Sequence, residues 1–204
     1  FDHLNLFQQA LPEAVKLSLI SRKGIIRVIR NAMTLQMRET DPATYLDEQS
    51  LNLYHLDRGI SIAIFGMTPL RQLPLQSYIG YTLFKNGLPA AYGGAWITGQ
   101  FAMFGLNIFE TYRGGESGYM MCQLLRVYKQ VFNLTQIEID GTQFGRDNPD
   151  GIQSGAFWFY YRYGFRPNNK KLNQLAAPAH EKISQIKGYR STEKTLIAFT
   201  VSNI

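Results

Sequence analysis

Cysteine is almost absent. Cys122 is the single cysteine in 204 residues, which excludes an internal disulfide framework and any cysteine-rich zinc site. A lone thiol makes a reducing compartment, the cytoplasm, the expected setting. Histidine is sparse too: His3, His55 and His180 lie far apart in the chain, so no bound metal is expected. No apolar run approaches the roughly 18–20 residues needed to cross a bilayer, so no membrane span is expected. The start, Phe1, is not a methionine, and no basic stretch leads into an apolar one as in an uncleaved signal peptide; the chain is expected to be a trimmed or excised part of a longer protein. Internal repeats and low-complexity tracts are missing as well.

What is present belongs to a globular domain. With 45% hydrophobic and 18% charged residues, the chain is too apolar for a disordered tail and long enough to bury a real core. The net charge of +6 favours anionic partners such as phosphates, nucleic acid, an acidic carrier protein or a membrane surface, although a basic surface also serves solubility alone. Lys16, Arg22, Lys23, Arg27, Arg30 and Arg38 are read as a solvated helical face rather than a binding patch. They are not interleaved with aromatics in one tract, which argues against a nucleic-acid partner.

Two parts are expected: a helical N-terminal segment, residues 1–58, and a mixed α/β (α+β) domain, residues 59–204, with its motif core at 77–166. In the first, apolar residues from Ala14 to Met37 recur at helical spacing, Pro12 fits a helix start, Gly24 interrupts, and Pro42 opens a further helix running to about Tyr54. From Gly59 the period changes. Strands are expected at 60–67, 77–84, 90–97 and 101–109, with Asn86-Gly87 as the hairpin signal between two of them. This is an antiparallel meander. An amphipathic helix follows at about 118–132, then a strand at 136–140, a short aromatic helix at 153–162, a helix at 172–186 and a closing strand at 194–201. Cys122 falls within the amphipathic helix as a packed thiol.

The informative stretch is Arg113-Gly114-Gly115-Glu116-Ser117-Gly118, between a strand and that helix. A glycine-rich turn opening a helix presents backbone N–H groups that no helical carbonyl can satisfy, and the helix dipole adds positive potential. Together they make an anion site; the alternative is a plain turn. Further on, Gln153-Ser154-Gly155-Ala156-Phe157-Trp158-Phe159-Tyr160-Tyr161-Arg162-Tyr163-Gly164-Phe165 closes the motif region.

Over residues 60–166 this order of elements resembles the GNAT superfamily of acyl-CoA N-acyltransferases. Members carry a strand, Gln/Arg-x-x-Gly-x-Gly/Ala, a helix, a second strand, and then a segment like Asn-x-x-Ala-x-x-Phe/Leu-Tyr-x-x-x-Gly-Phe. The resemblance implies a twisted, mixed, mostly antiparallel sheet with a splayed parallel strand pair and flanking helices. It implies acyl-CoA as co-substrate, its pantetheine on the backbone of Leu106, Asn107 and Ile108, and its phosphates on Arg113 to Gly118, with Gln153 at the family's asparagine position. It implies Tyr160 as the group that protonates the departing thiolate, with core packing as the other reading of the same residue. Glu110, at the end of the first motif strand, is the candidate base. Glu116 stands where the family has glycine, and its carboxylate repels a diphosphate unless it points away; an acyl carrier protein docked on the basic helices is the donor that avoids this conflict. The acceptor would be a small-molecule or peptide amine. The alternative to an enzyme is a non-catalytic GNAT-like module that binds a ligand or a protein.

Overall fold

The computed structural model describes residues 1–37 and 41–204; Arg38, one of the basic residues read as a solvated face, lies outside the described residues. The protein is a mixed α/β fold. Among the described residues a six-stranded, mostly antiparallel sheet, its strands in chain order and the last two a parallel pair, is flanked by helices. The chain divides into two compact units, residues 1–102 with 106–136, and residues 103–105 with 137–204.

The first unit opens with α1 (His3–Gln8) and α2 (Leu19–Leu35). Pro12 starts no helix, and Gly24 lies inside α2 without breaking it. The helix holds because its apolar stripe is buried: Ile26, Ile29 and Met33 are at most 3% exposed. Ser18 caps its start by accepting from the Ser21 amide. The expected solvated basic face is partly a set of struts. Arg22 donates to the carbonyls of Glu48 and Leu51, and Arg30 to those of Ala43 and Thr44.

Pro42 does lie in a helix, α3 (Asp41–Thr44), but that helix stops far short of Tyr54. Tyr45 and Leu46 turn toward the sheet, where Leu46 bridges Met67, and the chain continues as β1 (Asn52–Leu56). The helical reading of this stretch is therefore corrected. Leu46, Leu51 and Leu53 join the core formed by Ile29, Met33 and Phe65, and pairing with a neighbouring strand overrides the local helical spacing. The meander follows: β2 (Ile60–Gly66), β3 (Ser77–Lys85), β4 (Leu88–Thr98) and β5 (Phe101–Ile108). Asn86 and Gly87 form its hairpin turn with φ of 51° and 82°. After β5 the chain enters α4 (Ser117–Val131), whose Tyr128 hydroxyl donates to the Ile79 carbonyl of β3 at 2.7 Å.

The second unit contains β6 (Gln136–Ile139) from Ile137 onward, then α5 (Pro149–Ser154), α6 (Ala156–Arg162), α7 (Lys170–Gln185) and α8 (Glu193–Phe199). The aromatic helix expected at 153–162 is two helices, divided at Gly155, which takes a left-handed φ of 67°. The strand expected at 194–201 is also corrected, because that segment is α8. Thr192 caps it, Leu196 and Phe199 fall on one buried face, and Phe199 stacks on Phe157 at 4.1 Å. The strand-like pairing falls later, at the last residue, where Ile139 and Ile204 exchange backbone hydrogen bonds.

A close approach in the first unit has a measurable consequence. Gly80 and Gly94 face each other across β3 and β4. A Cβ on Gly94 would meet the Tyr78 ring at 2.5 Å and the Ile79 carbonyl at 2.6 Å, and the second neighbour is backbone that cannot swing aside. Gly94→Ala is expected to destabilise the fold by about 1–3 kcal/mol, as overpacking does. Urea unfolding with an unchanged m-value checks it.

Candidate functional site

In the first unit, β5 and the start of α4 place most of the expected site residues on one continuous stretch. Leu106, Asn107 and Ile108 form the end of β5; Glu110 follows in a 3₁₀ turn, Glu110–Tyr112, and is exposed. Arg113 folds back on this stretch, its Nε donating to the Ile108 carbonyl at 3.1 Å. The loop then closes on itself: the Gly114 amide donates to Ser117 Oγ at 2.9 Å, and the Ser117 amide donates to the Gly114 carbonyl at 3.0 Å. The amides of Gly115, Glu116 and Gly118 donate to no acceptor among the described residues. A Cβ on Gly114 or Gly115 would meet nothing within 4 Å, so the turn is open where a ligand would approach.

Glu116 is the N-cap residue of α4, yet its side chain caps nothing. It is turned onto Lys85, at 2.7 Å. The Lys85 hydrogen bond and charge, with help from Arg58, hold the Glu116 carboxyl below its ordinary range against a smaller desolvation effect. Lys85 also donates to the Arg58 carbonyl, and Arg58 places its guanidinium 4.1 Å from the Tyr119 ring centroid. Two cations from the β1–β2 and β3–β4 turns thus stand at the start of α4. Neither was anticipated from sequence. Only the Asn86-Gly87 turn was legible; the bond from the Asn86 amide to the Gly59 carbonyl, which joins the two turns, depends on the folded sheet.

Tyr160 and Gln153 belong to the second unit. Tyr160 lies on α6, is 3% exposed, and packs against Phe144, Phe159 and Phe165. Burial raises its phenol pKa above the ordinary value, so it is fully protonated at neutral pH. Gln153 is exposed on α5, on the wall of a groove of about 1060 Å³ shared with Phe159, Arg162, Tyr189 and Arg190. Nearby, His180 packs at a tilt against Trp158 and Tyr161, and burial together with the charges of Arg166 and Arg162 lowers its pKa.

Cys122 is completely buried, and desolvation pushes its thiol up to about 12, which makes it inert as a nucleophile. Among the described residues no three His, Cys, Asp or Glu side chains gather as a metal centre requires, and no helix is long and apolar enough to cross a membrane. No family model matches the chain, and neither a curated protein nor a solved structure matches it.

Two titrations test these local fields. Lys85→Met is expected to return the Glu116 carboxyl pKa upward to the ordinary range, followed by carbon NMR of a glutamate-labelled protein. In the native protein the pair contributes its stability above the ordinary carboxylate pKa and loses it as pH falls through the lowered one. For His180 the folded pKa is also depressed, so protonation favours unfolding. Stability is expected to be level above the ordinary value of 6.5 and to fall as pH drops toward the folded-state value. His180→Phe, which keeps the ring packing, should flatten that part of the pH–stability curve in thermal melts.

Proposed function

We propose that this protein is an acyltransferase that moves an acyl group from acyl-CoA, or from an acyl carrier protein, to an amine. The observation that carries the reading is the open turn at 114–118. It combines unclaimed amides at the start of a fifteen-residue helix with a glutamate whose charge is engaged by Lys85. Amides at a helix start bind phosphate oxygens, and the Lys85 pairing removes the main objection to a diphosphate there. Arg113 adds a cation fixed to the same stretch of chain.

In this reading Leu106 to Ile108 offer backbone to the pantetheine arm and the 113–118 turn takes the phosphates. The amine nitrogen attacks the thioester carbonyl carbon; a C–N bond forms, the C–S bond breaks, and the amine proton leaves to a base. Glu110 is exposed and would work through water. Tyr160 keeps its candidacy as proton donor to the thiolate because it is protonated at neutral pH. Its burial among Phe144, Phe159 and Phe165 equally suits a packing residue, and this favours the second reading, a ligand-binding module without catalysis.

The test is thermal stabilisation by CoA, acetyl-CoA, a long-chain acyl-CoA and a holo acyl carrier protein. A bound donor at a hundredfold excess over its Kd should raise the melting temperature by roughly 5–10 °C. Gly115→Asp adds a charge in open space, so it should abolish the donor shift while leaving the unliganded melting temperature in place. With an acceptor in hand, Tyr160→Phe should bind donor normally and turn over roughly 10²–10⁴-fold more slowly. An unchanged rate leaves Tyr160 as packing. If no donor stabilises the protein, the enzyme reading fails.

A further inference from the structure

A second concave site lies wholly within the first unit. It is a cleft of about 450 Å³, within the roughly 300–1,000 Å³ typical of small-molecule sites. Its floor is apolar: Ile29 and Met33 of α2 and Phe65 of β2 are all buried. Its walls are aromatic. Tyr78 and Trp96 are directly paired across β3 and β4, with ring centroids 5.1 Å apart in an edge-to-face arrangement. Tyr92 lies on the same face of β4 as Trp96, four residues away, and the Tyr78 ring packs against Gly94 between them. Tyr45 closes another side. None of these rings is fully buried, so they present flat apolar surface to the opening.

The polar equipment is small and specific. Arg71 holds its guanidinium 3.8 Å from the Tyr45 ring centroid. Stacking on a ring fixes the plane of the fork while leaving its N–H edges free to donate. Among the described residues Arg71 makes no ion pair and no side-chain hydrogen bond. Asp41, exposed at the start of α3, lines the same cleft and likewise makes no ion pair among the described residues. Asn107, exposed at the end of β5, completes the lining.

We propose that this cleft binds a small amino acid-like molecule: an apolar, preferably aromatic body, a carboxylate taken by Arg71, and an amine drawn to Asp41. A stacked guanidinium with free edges suits the two parallel bonds of a carboxylate. The ring-lined walls suit a flat apolar body. As a binding site the cleft stands on this geometry alone. Its identification as the acceptor site rests on the acyltransferase reading, through Asn107, which belongs both to the cleft and to the strand expected to hold the donor.

Three probes with one phenylethyl body separate the contributions: phenylalanine, 3-phenylpropionate and phenethylamine. Binding is measured by calorimetry on the unmodified protein and by Trp96 fluorescence in Trp158→Phe, which leaves Trp96 as the single tryptophan. Phenylalanine should bind tightest. Arg71→Gln should weaken phenylalanine and phenylpropionate by at least about tenfold, the loss of one charge-assisted pair, and leave phenethylamine unchanged. Asp41→Asn should weaken phenylalanine and phenethylamine but not phenylpropionate. The proposal is overturned if no probe binds at millimolar concentration, if phenethylamine binds tightest, or if Arg71→Gln binds all three like the unmodified protein. These measurements use no donor. Probe binding without any stabilisation by CoA or carrier protein would keep the cleft and discard the acyltransferase; donor binding without probe binding would do the reverse.

Discussion

Helix α4 is buried along its first twelve residues, Ser117 to Tyr128, and much of the first unit follows from that constraint. A buried helix must find partners for every polar side chain it carries, since an orphaned group away from water costs more than a made bond returns. Arg126 is 5% exposed and meets this demand by donating to the carbonyls of Gln9 and Ala10 and to Gln123. Gln123 in turn donates to the Tyr119 hydroxyl. Gln130 accepts from the Leu11 amide and donates to the Gln9 carbonyl. Residues 9–11 have no regular structure of their own, and α4 supplies the partners for their backbone. Tyr128 ties the same helix to β3, and its buried phenol stays neutral because desolvation raises its pKa. With these anchors α4 cannot slide or rotate without orphaning several groups at once, so the amides at its first turn are held in place.

The charges around that turn are arranged by the sheet. Lys85 sits at the end of β3 and Arg58 in the tight turn between β1 and β2, where its φ is positive. The two turns are joined by the Asn86–Gly59 backbone bond, and they bring two cations to Glu116. An ion pair whose carboxylate is exposed adds little stability. Its effect is directional: it turns a carboxylate onto Lys85 at a place where an anion would otherwise be repelled. In the cleft, the missing side chain at Gly94 lets the Tyr78 ring pack against β4 beside Trp96, and the Tyr45 ring orients Arg71. In both places a cation is set by its surroundings rather than by a carboxylate partner of its own element.

How much of this was legible in the sequence depends on the range of the interactions involved. The β2–β5 meander was legible because Asn86-Gly87 specifies a hairpin locally and the flanking runs have strand composition. Helix α4 was legible because Met121, Leu124, Leu125, Tyr128 and Phe132 recur three or four residues apart. The glycine-rich turn at its start was legible as a potential anion site for the same local reason. The stretch from Tyr45 to Tyr54 was misread because its apolar spacing permits a helix, and only the Leu46–Met67 bridge and the burial of Leu51 and Leu53 make it run to a strand. Residues 194–201 were misread because their apolar composition suits a strand, while the stacking of Phe199 on Phe157 is invisible without the fold. Arg22 and Arg30 looked like solvent-facing charge, and their carbonyl partners lie 13 to 29 positions away.

By itself, then, the amino-acid sequence determined the class of fold, the order of most elements, the single buried thiol and the open turn before α4. These are written in patterns of period two or about three and a half and in glycines at fixed places, all of which act within a few residues. The tertiary structure decided where Glu116 points, which arginines are struts, that Tyr160 is buried and protonated, and that Tyr45, Arg71, Tyr92 and Trp96 enclose one cleft. Those outcomes need residues distant in sequence to meet, and burial, pairing and protonation exist only once they have met.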